Sequence, residues 1–259
     1  MRVTGERVTT SAGGFNPTWQ RHVAAYALCT SLLPEGRVLD VGCGIGHSYE
    51  LLAPRETVGL DIDPAVLSNQ NRETSVGDMR SLPFADASFS AVLSVQAIEH
   101  VPDPERALEE ARRVLEPGGV AVFVTPNRLT FGLPGEVVDP YHYVEFAPGE
   151  LRALCERTFE HVELWGIFGS DRYRHLVAAE RVRLKRLMRW DPLRLRRAVP
   201  RPLRKLLYDW GLRRQRQGED LRAASIDLSD FELRGQRLEQ CLDLVAVCRD
   251  AGLTESRIS

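Results

Sequence analysis

The chain is short of cysteine, almost devoid of lysine, and without a long apolar run. Its five cysteines, Cys29, Cys43, Cys155, Cys241 and Cys248, are odd in number, widely spaced and free of any C-x-x-C. That pattern excludes a disulfide framework and a thiolate zinc site. No stretch approaches the roughly 18 apolar residues of a membrane span; the longest apolar pieces are strand-sized, as at Val120 to Val124. The first 14 residues carry Arg2, Glu6 and Arg7 among Thr, Ser and Gly with no apolar segment, so no secretory signal is expected and a cytoplasmic location follows. What is present is a globular balance, 43% hydrophobic and 27% charged over 259 residues. It fits one large domain, or a domain with an appendage, and argues against disorder or a collagen-like repeat.

The net charge of −2 hides an asymmetry. Between Asp171 and Gln217 there are 16 basic residues against 4 acidic ones, a local excess of +12, which leaves the rest of the chain at −14. An acidic body therefore carries a basic insert. Within it Leu203, Leu206, Leu207 and Trp210 recur at helical spacing opposite Arg204, Lys205, Asp209 and Arg213, the pattern of an amphipathic helix. Three roles are open to this insert: solvated helices covering the sheet, a lid over an acceptor pocket, or contact with an anionic surface. Nucleic acid is disfavoured, because the apolar stripe wants a protein or lipid surface and no recognised nucleic-acid motif accompanies the charge.

From Arg37 onward, strand-like and helix-like segments alternate, which implies βαβ units and a mainly parallel sheet. Arg37 to Val41 reads as the first strand and His47 to Ala53 as a helix stopped by Pro54. Thr57 to Asp61 and Ser90 to Val95 read as further strands, Pro104 to Leu115 as a helix with one apolar face, and Val120 to Val124 as a central strand. Residues 128–147 form a Gly/Pro/aromatic loop. Pro148 to Phe159 then reads as a helix, His161 to Trp165 as a strand, and Cys241 to Val247 as a closing strand.

The chemistry gathers at the strand ends. Gly42, Gly44 and Gly46 form a G-x-G-x-G turn after the first strand, where backbone N–H groups approach a ligand with a helix dipole behind them. The spacing departs from the G-x-G-x-x-G of dinucleotide sites, which argues against a nicotinamide oxidoreductase. Asp40, just before the glycines, suits a ligand ammonium group. Asp61, 19 residues past Gly42, suits the two hydroxyls of a ribose. Ile62 is placed to cover an adenine, and Asp78, followed by Met79, to accept from its amino group. Together these residues suit a nucleoside attached to an amino acid. A tight strand-to-helix connection is the plainer account of the glycine turn alone.

Val38 to Gly46, Val58 to Asp61, Gly77-Asp78, Asp86 to Val92, Gln96 to Val101 and Leu115 to Gly119 resemble, in order, the motifs of class I S-adenosylmethionine-dependent methyltransferases. The resemblance covers about residues 36–165, with Leu242 to Val247 as the last strand. It implies a doubly wound, Rossmann-like α/β fold with seven mostly parallel strands and an antiparallel last strand. It implies S-adenosyl-L-methionine as cofactor and adds Met79 and Gln96 to the binding residues Asp40, Gly42, Gly44, Gly46, Asp61, Ile62 and Asp78. Thr125-Pro126-Asn127, Tyr141 to Phe146 and Glu150-Leu151 resemble small-molecule O-methyltransferases of the ubiquinone-biosynthesis and bacterial polysaccharide or sugar-tailoring type. In such relatives the loop after the fifth strand faces the acceptor, which implies His142 there.

Methyl transfer is an in-line displacement that depends on positioning, and a hydroxyl acceptor must also lose its proton. An imidazole suits that task, so His142 and His100 are the candidate catalytic residues, with a structural histidine bonded to a backbone carbonyl as the other account of His100. No metal-ligand set is expected: Asp139, His142 and Glu145 could approach Mg²⁺, but nothing in their spacing demands it. The expected division is a helical cap at 1–35 bearing Trp19, Arg21 and Tyr26, a cofactor-binding core at 36–170, the basic helical insert at 171–225 and a return to the sheet at 226–259. The expected activity is methyl transfer to a small-molecule hydroxyl, sugar-like or lipid-linked. Its rivals are N- or C-methylation, or a catalytically silent cofactor-binding protein acting through its basic helices. The expected partner is the small-molecule acceptor, without nucleic acid; a peripheral membrane contact is not favoured and the sequence leaves the oligomeric state open.

Overall fold

The computed structural model describes residues 17–47, 49–131, 140–176, 178 and 226–250. The basic insert therefore lies outside the described residues except for 171–176, which are helical, and 178; so does Asp139. No described helix is long and apolar enough to cross a membrane.

Eight strands form one sheet: β1 Arg37–Val41, β2 Glu56–Asp61, β3 Glu73–Val76, β4 Phe89–Val95, β5 Leu115–Pro126, β6 His161–Gly169, β7 Phe231–Arg234 and β8 Asp243–Arg249. Their spatial order is β3-β2-β1-β4-β5-β8-β6-β7. The ladders from β3 to β5 are parallel, while β8 runs antiparallel between β5 and β6, and β7 antiparallel to β6. The count of seven strands is thus corrected to eight among the described residues. β7 escapes a periodicity reading because it is a four-residue edge strand, Phe231-Glu232-Leu233-Arg234, just beyond the basic insert.

Central strands are buried on both faces, which is why they read as continuous apolar runs. Alternate residues feed two cores. Leu39, Val41, Val92, Ala121 and Phe123 pack under helices α3 (Pro104–Val114) and α5 (Pro148–Cys155). Val38, Ala91, Leu93, Val122, Val124, Val245 and Val247 pack under α1 (Pro17–Cys29) through Ala24, Ala25, Tyr26 and Cys29. Two further helices, α2 (Pro64–Leu67) and α4 (Arg128–Phe131), are single turns.

The helix expected over His47 to Ala53 is replaced by a 3₁₀ turn, Tyr49–Leu52. Gly42, Gly44 and Gly46 all have positive φ, so the chain cannot enter a right-handed helix before residue 47. Pro54 ends it seven residues later, leaving room for one tight turn. α3 follows its local signals: the Asp103 side chain caps it by accepting from the Arg106 N–H at 3.1 Å, Pro104 follows, and Ala107, Leu108, Ala111 and Val114 turn inward.

Glu110 ties α3 to the loop before β4. Its buried carboxylate accepts from the Leu82 N–H at 2.8 Å, from Arg113 at 2.8 and 3.0 Å and from Arg106 at 3.1 Å. The Arg113 hydrogen bonds hold its pKa below the usual glutamate value. A depressed folded-state pKa contributes stability above the unfolded value, and that stability is lost as pH falls through the folded value. Glu110→Gln should therefore cost about 1–3 kcal/mol at pH 7 and less below pH 4. Urea unfolding at both pH values checks this; an equal loss at both would show that the charge contributes nothing.

Candidate functional site

In a parallel sheet the loops after successive strands open at one edge, and ligands bind where the strand order reverses. Here the turns after β1, β2, β3 and β4 converge at that edge on a cavity of about 350 Å³. Its wall includes Gly42, Gly44, Asp61, Ile62, Asp78, Met79, Gln96 and His100, all named from the sequence. Asp40, Gly46 and His142 are not on it. Tyr26, His22 and His47 line it from the α1 side, and Arg80, Val101, Pro102 and Tyr143 were not foreseen.

The glycine turn is shaped by positive φ at all three glycines and by close contacts at two of them. A Cβ on Gly42 would lie 2.4 Å from that of Ala97, and one on Gly46 would lie 2.3 Å from Gln70 Oε1. The Asp61 carboxylate accepts from the Gly44 N–H at 2.9 Å and the Asp63 N–H at 2.9 Å, so it fixes the turn while facing the cavity. Ile62 beside it is 69% exposed, an apolar side chain standing open on the cavity wall. Asp78 accepts from the Arg80 backbone N–H at 2.9 Å and from its guanidinium at 2.6 Å, and these hydrogen bonds hold its carboxyl below the usual range.

Asp40 does not face the ligand space. It is fully buried; Oδ1 accepts from the Tyr26 hydroxyl at 2.8 Å and Oδ2 from Arg72 Nη2 at 2.7 Å. Burial, then the Asp40 charge, pushes the Tyr26 hydroxyl well above its ordinary pKa. The Arg72 guanidinium lies over the Tyr49 ring, 4.4 Å from its centroid, and donates to Gln70 at 2.9 Å. The carboxylate expected to meet an ammonium group is instead a clamp between α1, β1 and the segment before β3. Its partner lies 32 residues away with no local signal, so a motif reading could not find it.

A second clamp reaches Gln96. Asp243, fully buried on β8, accepts from the Arg21 guanidinium and from Gln96 Nε2, the latter at 2.9 Å. Gln96 itself holds a positive φ of 51° while its N–H donates to the Val124 carbonyl at 2.7 Å. That strained conformation, fixed on two sides, is typical of functional loops.

Beyond Gln96 the loop carries Glu99 and His100. Glu99 is 1% exposed; Oε2 accepts from the Thr125 hydroxyl at 3.1 Å, while Oε1 is buried without a hydrogen-bond partner. Burial pushes its pKa up to about 7. His100 Nδ1 lies 3.4 Å from the Tyr141 carbonyl, and its ring meets the His142 ring edge-on at 4.9 Å. His142 is buried, with Nδ1 3.0 Å from Glu145 Oε1, and Glu145 Oε2 is again buried without a partner. The Tyr143 N–H donates to the Glu99 carbonyl at 2.8 Å, pinning this segment to the β4 loop. The two histidines named from the sequence are thus brought together, one on the wall and one behind it. On the α1 side, burial lowers His47 to about 4, and its ring packs 4.3 Å from Trp19.

A family model described as a methyltransferase domain matches residues 39–123. A probable S-adenosylmethionine-dependent methyltransferase of Mycolicibacterium smegmatis is 35% identical over 178 residues, 65% of this chain and 69% of that protein. A demethylmenaquinone methyltransferase of Renibacterium salmoninarum is 35% identical over 147 residues, 54% and 59% of the two chains. The crystal structure of a SAM-dependent methyltransferase from Thermotoga maritima, a possible histamine N-methyltransferase, shares the fold with a TM-score of 0.60 at 18% identity, covering 90% of each chain.

The Asp40 clamp makes a prediction of its own. Breaking a buried ion pair by removing one partner costs about 3–5 kcal/mol, because it strands the other charge. Arg72→Ala should lower the unfolding free energy by about that amount, read by urea titration at pH 7. A cost near zero would show that Asp40 does not depend on the Arg72 charge.

Proposed function

Because the chain belongs to the S-adenosylmethionine-dependent methyltransferases, we propose that its cavity serves methyl transfer to a hydroxyl of a small-molecule acceptor: a sugar, a polysaccharide precursor or another metabolite. It is an enzyme, and S-adenosylmethionine is its cofactor. The wall residues fit that group. Ile62 is exposed where a flat apolar base would cover it, and Gly44 is on the wall at a point where an added Cβ would meet nothing within 4 Å.

In this reading Asp61 accepts from the ribose hydroxyls with the acceptor capacity its two backbone contacts leave. Asp78 accepts from the adenine amino group while keeping its Arg80 contacts, since an ionised carboxylate has about four lone-pair sites. Ile62 and Met79 cover the base. Gly42, Gly44 and Gln96 border the amino-acid end, Asp40 acts there through Tyr26, and Gly46 acts through its packing on Gln70. When bound, the cofactor supplies a methyl carbon on a positively charged sulfur. The chain's own task is to hold the acceptor oxygen in line and to dispose of its proton.

The observation that carries the hydroxyl assignment is the imidazole pair. His100 stands on the cavity wall with His142 4.9 Å behind it. A neutral alcohol must lose a proton as it is methylated, and polar groups that take or stabilise that proton are what this wall offers. A demethylmenaquinone methyltransferase and a tocopherol O-methyltransferase are among the proteins similar to this chain, and the name of the second specifies transfer to oxygen.

Calorimetry with S-adenosylmethionine and S-adenosylhomocysteine, with NADH as control, tests the cofactor reading of these residues. Micromolar binding is expected, weakened about 10- to 100-fold in Asp61→Ala by loss of a charged hydrogen bond of about 1.5–3 kcal/mol. A labelled-methyl screen over sugars, phenols, lipids and amines then tests the acceptor. Transfer to hydroxyls alone supports the assignment; transfer to amines alone overturns it.

A further inference from the structure

Glu99, His100 and His142 each place one ligand atom within 4.8 Å of the other two, and they are the one such three-residue group among the described residues. We propose that these three residues bind a first-row divalent transition ion beside the cofactor cavity. The use made of the ion rests on the hydroxyl-acceptor reading above; its binding does not.

Three observations support the site. First, Glu99 is 1% exposed and its Oε1 is buried with no hydrogen-bond partner. An ionised carboxylate in that position is costly without a counter-charge, and no described arginine or lysine forms an ion pair with it. The opposite charges that act on it are His142 and Arg21, the latter already paired with Asp243, and a divalent cation supplies the direct partner that Oε1 lacks. Second, each imidazole has an acceptor at Nδ1: the Glu145 carboxylate at 3.0 Å for His142 and the Tyr141 carbonyl at 3.4 Å for His100. With the proton on Nδ1, Nε2 carries the lone pair, and this backing by carboxylate or carbonyl is what metal-binding histidines almost always have. Third, His100 is on the cavity wall. Three protein ligands beside an open space are the arrangement of a catalytic ion, which keeps a position for water or substrate.

Two imidazoles and one carboxylate select Zn²⁺ or a neighbouring first-row ion over Mg²⁺ or Ca²⁺, which prefer all-oxygen shells. Bond lengths near 2.0–2.1 Å put tetrahedral ligand atoms about 3.3 Å apart, so side-chain rotations of roughly an ångström close the group around an ion. The Glu145 carboxylate, acting through His142, is then a positioning residue. The ion's use is to hold the acceptor oxygen and lower the pKa of its hydroxyl. The acceptor O–H bond breaks with its proton passing to water. An O–C bond forms as the methyl S–C bond breaks, and the sulfur leaves as a neutral thioether. On this account His100 and His142 serve the hydroxyl as ligands, holding the ion that stabilises its oxygen as the proton leaves.

The test uses the full chain, stripped with a chelator and titrated with Co²⁺ while its visible d–d absorption is followed. One Co²⁺ per chain is expected, displaced by Zn²⁺. Glu99→Gln and His142→Ala should abolish the band, and Glu145→Gln should weaken binding about 10- to 100-fold, as outer-shell losses do. S-adenosylhomocysteine affinity in His142→Ala should stay within about two-fold of the parent, since His142 is not on the cavity wall; this also shows the variant is folded. Absence of a stoichiometric band overturns the proposal, and so does a band that survives in both Glu99→Gln and His142→Ala. Either result leaves the cofactor reading intact, because that reading stands or falls on the calorimetry.

Discussion

A fully buried carboxylate near the end of β1 governs how this molecule is assembled. Asp40 takes a hydroxyl from α1 through Tyr26 and a guanidinium from the segment before β3 through Arg72. Isolated in an interior, such a charge is prohibitive; with both partners in place it becomes a three-way joint. The glycine turn begins two residues later and inherits its position. Its N–H groups at Gly42 and Cys43 both reach the Leu60 carbonyl, and the Gly44 N–H reaches Asp61. Displacing Asp40 would therefore move the turn, the end of β2 and the α1 wall of the cavity together.

The second joint, Arg21 on Asp243, does the same work from the other side. It ties α1 to β8 across more than 200 residues of sequence, and through Gln96 it reaches the loop after β4. α1 is thus held at both ends of the cavity edge by groups that have given up water. It is a wall of the site, and residues on it, Tyr26 and His22, face the cavity as permanently as those on the sheet loops.

The sequence made the sheet legible because parallel interior strands are apolar on both faces, and it made the turns legible because glycine and proline mark them. Asp61, Ile62, Asp78, Met79, Gln96 and His100 could be assigned to one cavity for the same reason: each follows a strand, and parallel strands end at one edge. What could not be read were pairings set by tertiary approach. Nothing near Asp40 names Arg72, and nothing near Gln96 names Asp243. Proximity in sequence misled in the opposite direction at Asp40, whose place before the glycines suggested a ligand contact that its burial prevents. Glu99 was passed over because an acid beside a histidine carries no signal until its Oε1 is seen buried and unpartnered. The four-residue strands β3 and β7 failed to register for want of length.

The buried acids of this edge fall into two chemically distinct sets. Asp40 and Asp243 are each paired with an arginine. A guanidinium does not lose its proton in a protein, so these charges are neutralised permanently and their joints cannot be switched. Glu99 and Glu145 form no ion pair with an arginine among the described residues; their neighbours are Thr125, His142 and His100. Imidazole, unlike guanidinium, is uncharged in one of its two protonation states, so this second set lacks the fixed counter-charge of the first. The same desolvated edge therefore holds arginine-paired carboxylates at Asp40 and Asp243 and imidazole-facing ones at Glu99 and Glu145. The division follows from which side chain faces each carboxylate: a guanidinium for the first set, an imidazole for the second.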